Sequence, residues 1–307
     1  MVARSPMARG KPAPSPSRAY KSLVVSHRQS PHPDLRPMTP PQPPKTPQPG
    51  VKHLIAVASG KGGVGKSTVA ANLALALHLH GQRVGLMDAD IYGPSVPIMF
   101  GLGLVDQTRT PLPVQKFGLK LMSMGFFVDA NQPVIWRGPK VAQAVGSLLF
   151  QPNWGELDFL VIDLPPGTGD AQLTLSQSAP LTGVVIVTQP AEVSLIDARK
   201  GVRMFEEVKV PILGIVENMS YLALPDGTRI HPLGQGGGRK LADEIGVPLL
   251  GEIPIDSQVS SCGDAGEPIV SKLPDHAISK AYLALAQTVL NAMQSRPTGG
   301  ALPEVEL

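Results

Sequence analysis

Cysteine is almost absent: the 307-residue chain has one, Cys262. A single thiol excludes an intramolecular disulfide and any zinc site built from several thiolates, and it points to a reducing compartment. Long apolar runs are also missing. No window of 18 or more apolar residues occurs, so no membrane-spanning helix is expected. The N-terminus lacks the continuous apolar stretch of a secretory signal. Acids are scarce there too: residues 1–50 hold Asp34 alone against eight Lys and Arg. That segment carries +7, leaving −4 on the rest of a chain whose net charge is +3. The basic balance therefore belongs to the tail, and the body is not read as binding nucleic acid. With 42% hydrophobic and 17% charged residues, the body can bury a sizeable core.

Residues 1–50 also hold 13 of the 33 prolines. Proline propagates neither a helix nor a central strand, so a disordered, extended, basic tail is expected. A second flexible tail is expected at 296–307, with one domain at 51–295 between them. An organellar transit peptide is the alternative for the first tail, because it bears Arg and Ser and few acids. Its prolines leave only 18–28 for the amphipathic helix such a peptide needs. The matching locations are the cytoplasm and, alternatively, an organellar matrix.

Order is expected from about residue 53. The apolar run 54–58, followed by a Gly-rich turn, reads as a buried parallel strand. Val69, Leu73, Ala76 and Leu77 give one face of a helix over 67–80. Further strands are read at 83–87, 119–124, 159–162, 184–187 and 212–216, and further helices at 140–150 and 239–245. Leu195, Ala198, Val202 and Phe205 mark a helix between the last two strands. Ile278, Tyr282, Leu285, Val289 and Met293 mark the final helix. Strands alternating with helices imply an α/β fold with a doubly wound, mostly parallel sheet.

Gly60-Lys61-Gly62-Gly63-Val64-Gly65-Lys66-Ser67 matches the P-loop pattern G-x-x-x-x-G-K-S in full, between a strand and a helix. Glycines let successive backbone N–H groups converge on phosphate oxygens, and the helix N-terminus adds its positive end. Lys66 is expected to neutralise the β- and γ-phosphates of ATP, and Ser67 to ligate Mg²⁺. Thr68, in the first helical turn, is grouped with the nucleotide contacts.

Magnesium and an attacking water require carboxylates near the γ-phosphate. Two acidic clusters end predicted strands: Asp88-Ala89-Asp90-Ile91-Tyr92-Gly93-Pro94-Ser95 and Asp163-Leu164-Pro165-Pro166-Gly167-Thr168-Gly169-Asp170. Doubly wound folds bind ligands at such ends. Asp163 is assigned to Mg²⁺ through a water, Asp90 to the attacking water, and Asp88 to the metal shell or to orienting its loop. The Gly167 N–H is assigned to the γ-phosphate. Asn218, in Glu217-Asn218-Met219, can donate to and accept from adenine, and Ile253-Pro254-Ile255-Asp256 could frame the base's other side.

The chain resembles the Mrp/ApbC group of P-loop ATPases from about residue 52 to 273. The carrying segments are the P-loop, both acidic clusters, Trp136-Arg137-Gly138-Pro139, Trp154-Gly155-Glu156-Leu157-Asp158, Glu217-Asn218-Met219-Ser220-Tyr221 and Gly263-Asp264-Ala265-Gly266 with Pro268-Ile269-Val270. The P-loop with its extra lysine is similar to that of the wider MinD/ParA/nitrogenase-iron-protein class. That resemblance implies an ATP-bound homodimer in which Lys61 reaches the partner's nucleotide. It also implies a slow, dimer-dependent ATPase that carries an iron–sulfur cluster and passes it to apoproteins or works with assembly factors. The family usually follows Glu-Asn-Met-Ser-Tyr with a Cys-Pro-x-Cys pair. Leu224-Pro225-Asp226-Gly227 stands there in this chain, so the bridging [4Fe–4S] site lacks its thiolates. Cys262 and His231 are the residues left as candidate iron ligands, although a buried thiol or a solvated loop histidine is the commoner situation.

Two other functions compete with the carrier. A cluster-free, MinD/ParA-like dimerisation switch would recruit a protein partner. Residues 295–307 are too broken and acidic for the basic membrane helix of MinD relatives, so no membrane partner is expected. A small-molecule kinase would need an arginine-rich lid, which the sequence does not offer.

Overall fold

A computed structural model describes residues 47–103, 112–127 and 138–294. Residues 1–46 of the first expected tail and all of the second lie outside the described residues, as do Trp136 and Arg137, whereas Gln48 is buried and the Gly50 carbonyl accepts from the Leu157 amide at 2.8 Å. Five strands build the centre of one sheet: β1 (Val51–Ala58), β2 (Val84–Asp88), β5 (Leu157–Asp163), β6 (Gly183–Thr188) and β7 (Ile212–Ala223). Around them run β3 (Val114–Lys116), β4 (Leu119–Ser123), β8 (Arg229–Ile230) and β9 (Leu249–Ile255). The order is β3-β4-β2-β5-β1-β6-β7-β8, with β9 also paired to β7. Every pairing is parallel except β3–β4 and β7–β8. The helices are α1 (Lys66–Leu79), α2 (Val96–Met99), α3 (Gly138–Phe150), α4 (Asp170–Ser178), α5 (Glu192–Glu207), α6 (Gly237–Ile245), α7 (Ser257–Asp264), α8 (Ile269–Lys272) and α9 (Ala277–Gln294). The expected doubly wound, mostly parallel sheet is the observed one.

The central strands read as unbroken apolar runs because both of their faces are covered. Leu54–Ala58 and Leu160–Ile162 are each at most 3% exposed. Helix α1 was expected to bury one face, yet it is buried continuously over 69–77. It packs on β1, β2 and β5 and also against α8 and α9, so it has no solvent face there. Asn72 survives in that setting because both ends of its carboxamide are used. It donates to the Thr68 carbonyl at 2.9 Å and accepts from the Val270 amide at 3.2 Å.

Three differences from the expected elements have physical causes. Strand β7 continues past 216 to Ala223, because β8 and β9 supply it with further partners. Strand β9 contains Pro254 and Gly251, which argue against a central strand, and it pairs with β7 alone. The β3–β4 hairpin turns on Phe117 and Gly118, both at positive φ, without the Asn-Gly signal of such turns.

Register places the chemistry. In the β2–β5 pairing Asp88 sits opposite Asp163, and in the β1–β5 pairing Asp163 sits opposite Val57. Both acids therefore lie beside the start of the loop that follows β1.

Candidate nucleotide site

The loop between β1 and α1 is shaped by close approaches that only glycine tolerates. A Cβ on Gly60 would lie 2.1 Å from the Asp197 carbonyl of α5. Gly65 has φ +80°, and a Cβ there would lie 2.3 Å from Asn218 Nδ2. Lys66 then turns inward and is only 6% exposed.

Lys66 Nζ lies 2.5 Å from Asp163 Oδ1 and 3.3 Å from Ser67 Oγ. Asp163 is fully buried. Burial raises its pKa, and Lys66 opposes that shift. Its second oxygen, Oδ2, is buried with no hydrogen-bond partner. An unpaired buried carboxylate oxygen is costly, so its environment suits an added donor.

Asp88 is also fully buried, and its pKa is pushed up to about 7, by burial first and then by the charge of Asp163. Both of its oxygens are engaged. Oδ1 accepts from the Asp90 amide at 3.1 Å; Oδ2 accepts from the Val96 amide at 3.1 Å and the Ser123 hydroxyl at 3.2 Å. Of the two roles expected for Asp88, the loop-orienting one is what this geometry serves. Its expected place in the metal shell would draw on oxygens that the loop amides and Ser123 already engage.

Asp90 is half-buried and accepts from the Tyr92 and Gly93 amides at 3.3 Å. It lines one cleft of about 470 Å³ together with Lys61, Gly62, Gly63, Gly65, Lys66, Ser67 and Thr68. Val64 is buried behind the loop, and Gly60 packs on α5. Lys61 is half-buried and takes part in no ion pair among the described residues. The far wall of the cleft includes Val259, Ser260, Gly263 and Asp264 from α7.

The remaining expected contacts are placed differently. The Gly167 N–H donates to the Ser59 carbonyl at 3.1 Å, so it reaches a phosphate only if its loop moves. Asn218 is 5% exposed and donates to the Val64 carbonyl at 2.8 Å. Ile253 is core, 1% exposed, and Asp256 caps α7 by accepting from the Gln258 amide at 2.8 Å. Sequence reasoning missed Gln189, which follows β6 and donates to the Gly63 carbonyl at 3.3 Å. Its position just outside the carboxyl end of a parallel strand was the available signal.

The candidate iron ligands do not form a site. Cys262 is 1% exposed within the apolar core, whereas a thiolate bridging two subunits has to reach the surface. His231 Nδ1 lies 3.2 Å from the Ser220 carbonyl. Where the thiolate pair was expected, β7 and β8 are joined by a closed turn. Leu224 N donates to the Thr228 carbonyl at 2.8 Å, Gly227 N to the Leu224 carbonyl at 2.9 Å, and Thr228 N to Asp226 Oδ1 at 2.9 Å. No group of three or more His, Cys, Asp or Glu suited to a metal occurs among the described residues.

A complete P-loop on a parallel sheet, with a buried aspartate opposite its lysine, defines a P-loop NTPase of the MinD/ParA fold. Residues 50–290 match the family model described as "ParA: NUBPL iron-transfer P-loop NTPase", and the chain belongs to that family. It is 52% identical over 254 residues to an iron-sulfur cluster carrier protein of Aquifex aeolicus, covering 81% of this chain and 70% of that one. It is 46% identical over 251 residues to the iron-sulfur cluster transfer protein NUBPL of Dictyostelium discoideum, covering 80% and 78%. Among solved structures it is similar to an ADP-bound nucleotide-binding protein of Archaeoglobus fulgidus, with TM-score 0.62 and 42% identity over 71% of this chain and 87% of that one. MinD of Pyrococcus horikoshii shares the fold, with TM-score 0.57 at 24% identity over 78% and 96%.

Proposed function

We propose that this chain is a slow, homodimeric ATPase that supports delivery of iron–sulfur clusters to apoproteins, with the cluster's thiolates supplied by a partner. The buried Lys66–Asp163 pair inside a complete P-loop carries the ATPase reading. The names of the relatives carry the cluster reading. The domain is taken to span 51–295.

In this reading ATP enters the cleft lined by Gly62, Gly63, Gly65 and Lys66. Lys66 exchanges Asp163 for the β- and γ-phosphate oxygens, and the loop amides donate to the remaining phosphate oxygens. Mg²⁺ fits the donors present: Ser67 Oγ, and Asp163 Oδ2 through a water, the latter being the buried oxygen without a partner. When bound, that ion neutralises charge on the phosphates. Asp90 orients the attacking water from the cleft wall. Lys61, without an ion pair among the described residues, acts on the nucleotide of the second subunit. Asn218 keeps one amide hydrogen on Val64 and offers Oδ1 to the adenine amine. The Gly167 loop leaves Ser59 to sense the γ-phosphate.

The closed hairpin at 224–228 and the buried Cys262 favour a second reading, a cluster-free ATP switch that recruits a protein partner. One experiment separates the two. The gene is deleted and the activities of [4Fe–4S] enzymes are assayed in extracts. The delivery reading expects them to fall, to be restored by the wild type and Cys262→Ala, and to stay low with Lys66→Ala. Unchanged activities in the deletion strain support the switch alone. In either reading no nucleic acid is bound, the body being net acidic. No described helix is long and apolar enough to cross a membrane. Cytoplasm is the proposed location, an organellar matrix the alternative; sequencing the mature N-terminus distinguishes a cleaved tail from a retained one.

A further inference from the structure

Two side-chain carboxamides hold consecutive carbonyls of the phosphate loop. Gln189 Nε2 donates to the Gly63 carbonyl at 3.3 Å, and Asn218 Nδ2 donates to the Val64 carbonyl at 2.8 Å. They come from the ends of adjacent strands, Gln189 just after β6 and Asn218 within β7. Neither residue lines the cleft that Gly62, Gly63, Gly65 and Lys66 line. Each carboxamide is itself tied down. Gln189 Nε2 also donates to Met219 Sδ at 3.0 Å, and Gln189 Oε1 accepts from the Ser194 hydroxyl of α5 at 3.4 Å. Asn218 is 5% exposed and fills the space that a Cβ on Gly65 would take.

A trans peptide points its C=O and its N–H in opposite directions. Fixing the carbonyls of 63 and 64 therefore fixes the N–H groups of Val64 and Gly65, facing away from the carboxamides. We propose that Gln189 and Asn218 are positioning residues that clamp the phosphate loop from behind, aiming the Val64 and Gly65 amides at the phosphates before nucleotide arrives. Preorganised amides need no reorientation on binding, which is where their contribution to affinity arises. The clamp also joins three segments at one point: the loop, the start of α5 through Ser194, and β7 through Met219 and Asn218. This rests on the ATP-site reading and deepens it.

The test uses the full chain and two ligands, MgATP and inorganic triphosphate, which has no base. Calorimetry gives their affinities for the wild type, Gln189→Met and Asn218→Asp, with melting temperatures recorded beside them. Gln189→Met keeps side-chain length and removes the donor without adding charge. The clamp predicts that Gln189→Met weakens triphosphate and ATP by the same factor, about 3- to 10-fold, the worth of one net hydrogen bond. It predicts that Asn218→Asp also weakens triphosphate, since a carboxylate repels the Val64 carbonyl. Melting temperature is expected to hold for Gln189→Met, so a general loss of structure is not the cause. Unchanged triphosphate affinity in both variants overturns the clamp, and a loss confined to ATP overturns it too, leaving Asn218 with its base contact alone. A wild type that binds neither ligand overturns the nucleotide reading along with the clamp.

Discussion

Lys66 and Asp163 form an ion pair of 2.5 Å in which the lysine is 6% and the aspartate 0% exposed. Both partners belong to the expected phosphate and metal machinery, so here each satisfies the other's charge. Removing one partner of a buried pair typically costs about 3–5 kcal/mol, because the remaining charge is left alone. ATP with its cation offers each of them a replacement partner. Nucleotide binding is thus an exchange of ion pairs, and the resting pair keeps two buried charges from standing alone.

Asp90→Ala is expected to bind MgATP and to stop cleavage. Asp90 lines the cleft, while the buried pair beneath the loop does not include it. The measurement is gel filtration with MgATP beside a phosphate-release assay. A long-lived dimer with no released phosphate is the predicted outcome; normal turnover would mean that another residue positions the water.

Lys61→Ala is expected to fold as the wild type does, since Lys61 has no ion pair to lose among the described residues. Its hydrolysis should fall by on the order of 10³ or more, as for a cationic finger supplied across an interface. Mixing Lys61→Ala with an Asp90→Ala partner gives the sharper check. Mixed dimers with one intact site should recover part of the activity, and recovery would be absent if Lys61 acted within its own subunit.

Asp88 gives the pH dependence. Its folded pKa is raised from 3.8 to about 7, so the native state holds a proton that the unfolded chain has released between those values. The unfolded state then binds fewer protons, and stability falls as pH rises through that window. Melting of the nucleotide-free protein should therefore decline from pH 5 to pH 8. Asp88→Asn should flatten that decline, at a constant cost from the weakened Asp90 and Val96 contacts. An equally steep decline in the variant would assign the proton elsewhere.

Cys262→Ala should cost about 1 kcal/mol, as for a typical small truncation in a core. Nucleotide turnover and any iron bound after anaerobic incubation with ferrous iron and sulfide should be unchanged, because the thiol is 1% exposed. Loss of iron in the variant would restore Cys262 as a ligand.

Much of this arrangement was legible in the sequence. The P-loop declares itself because its chemistry is local: glycines, a lysine and a serine at fixed spacing. Asp88 and Asp163 were legible as strand-ending acids, and parallel register then brought them opposite each other. Gln189 was legible only as a residue just outside a strand end, since its contact depends on where the end of β6 lies beside a loop 126 residues earlier. Asp88 and Cys262 show the same limit from the other side. Their residue types permit metal binding, but the loop amides engage the one and the core encloses the other. Strand β9 was hidden by Pro254, whose missing N–H matters little on a strand paired along one side.

The central claim is that this P-loop turns over ATP. Phosphate release from MgATP by the purified chain tests it most directly, measured beside Lys66→Ala and Lys66→Arg with their melting curves. The account predicts slow release by the wild type that rises more than linearly with protein concentration. It predicts none from Lys66→Ala, and strongly reduced release from Lys66→Arg, which keeps the charge but not the compact ammonium. Release that is equal in all three, or absent from the wild type, would contradict it.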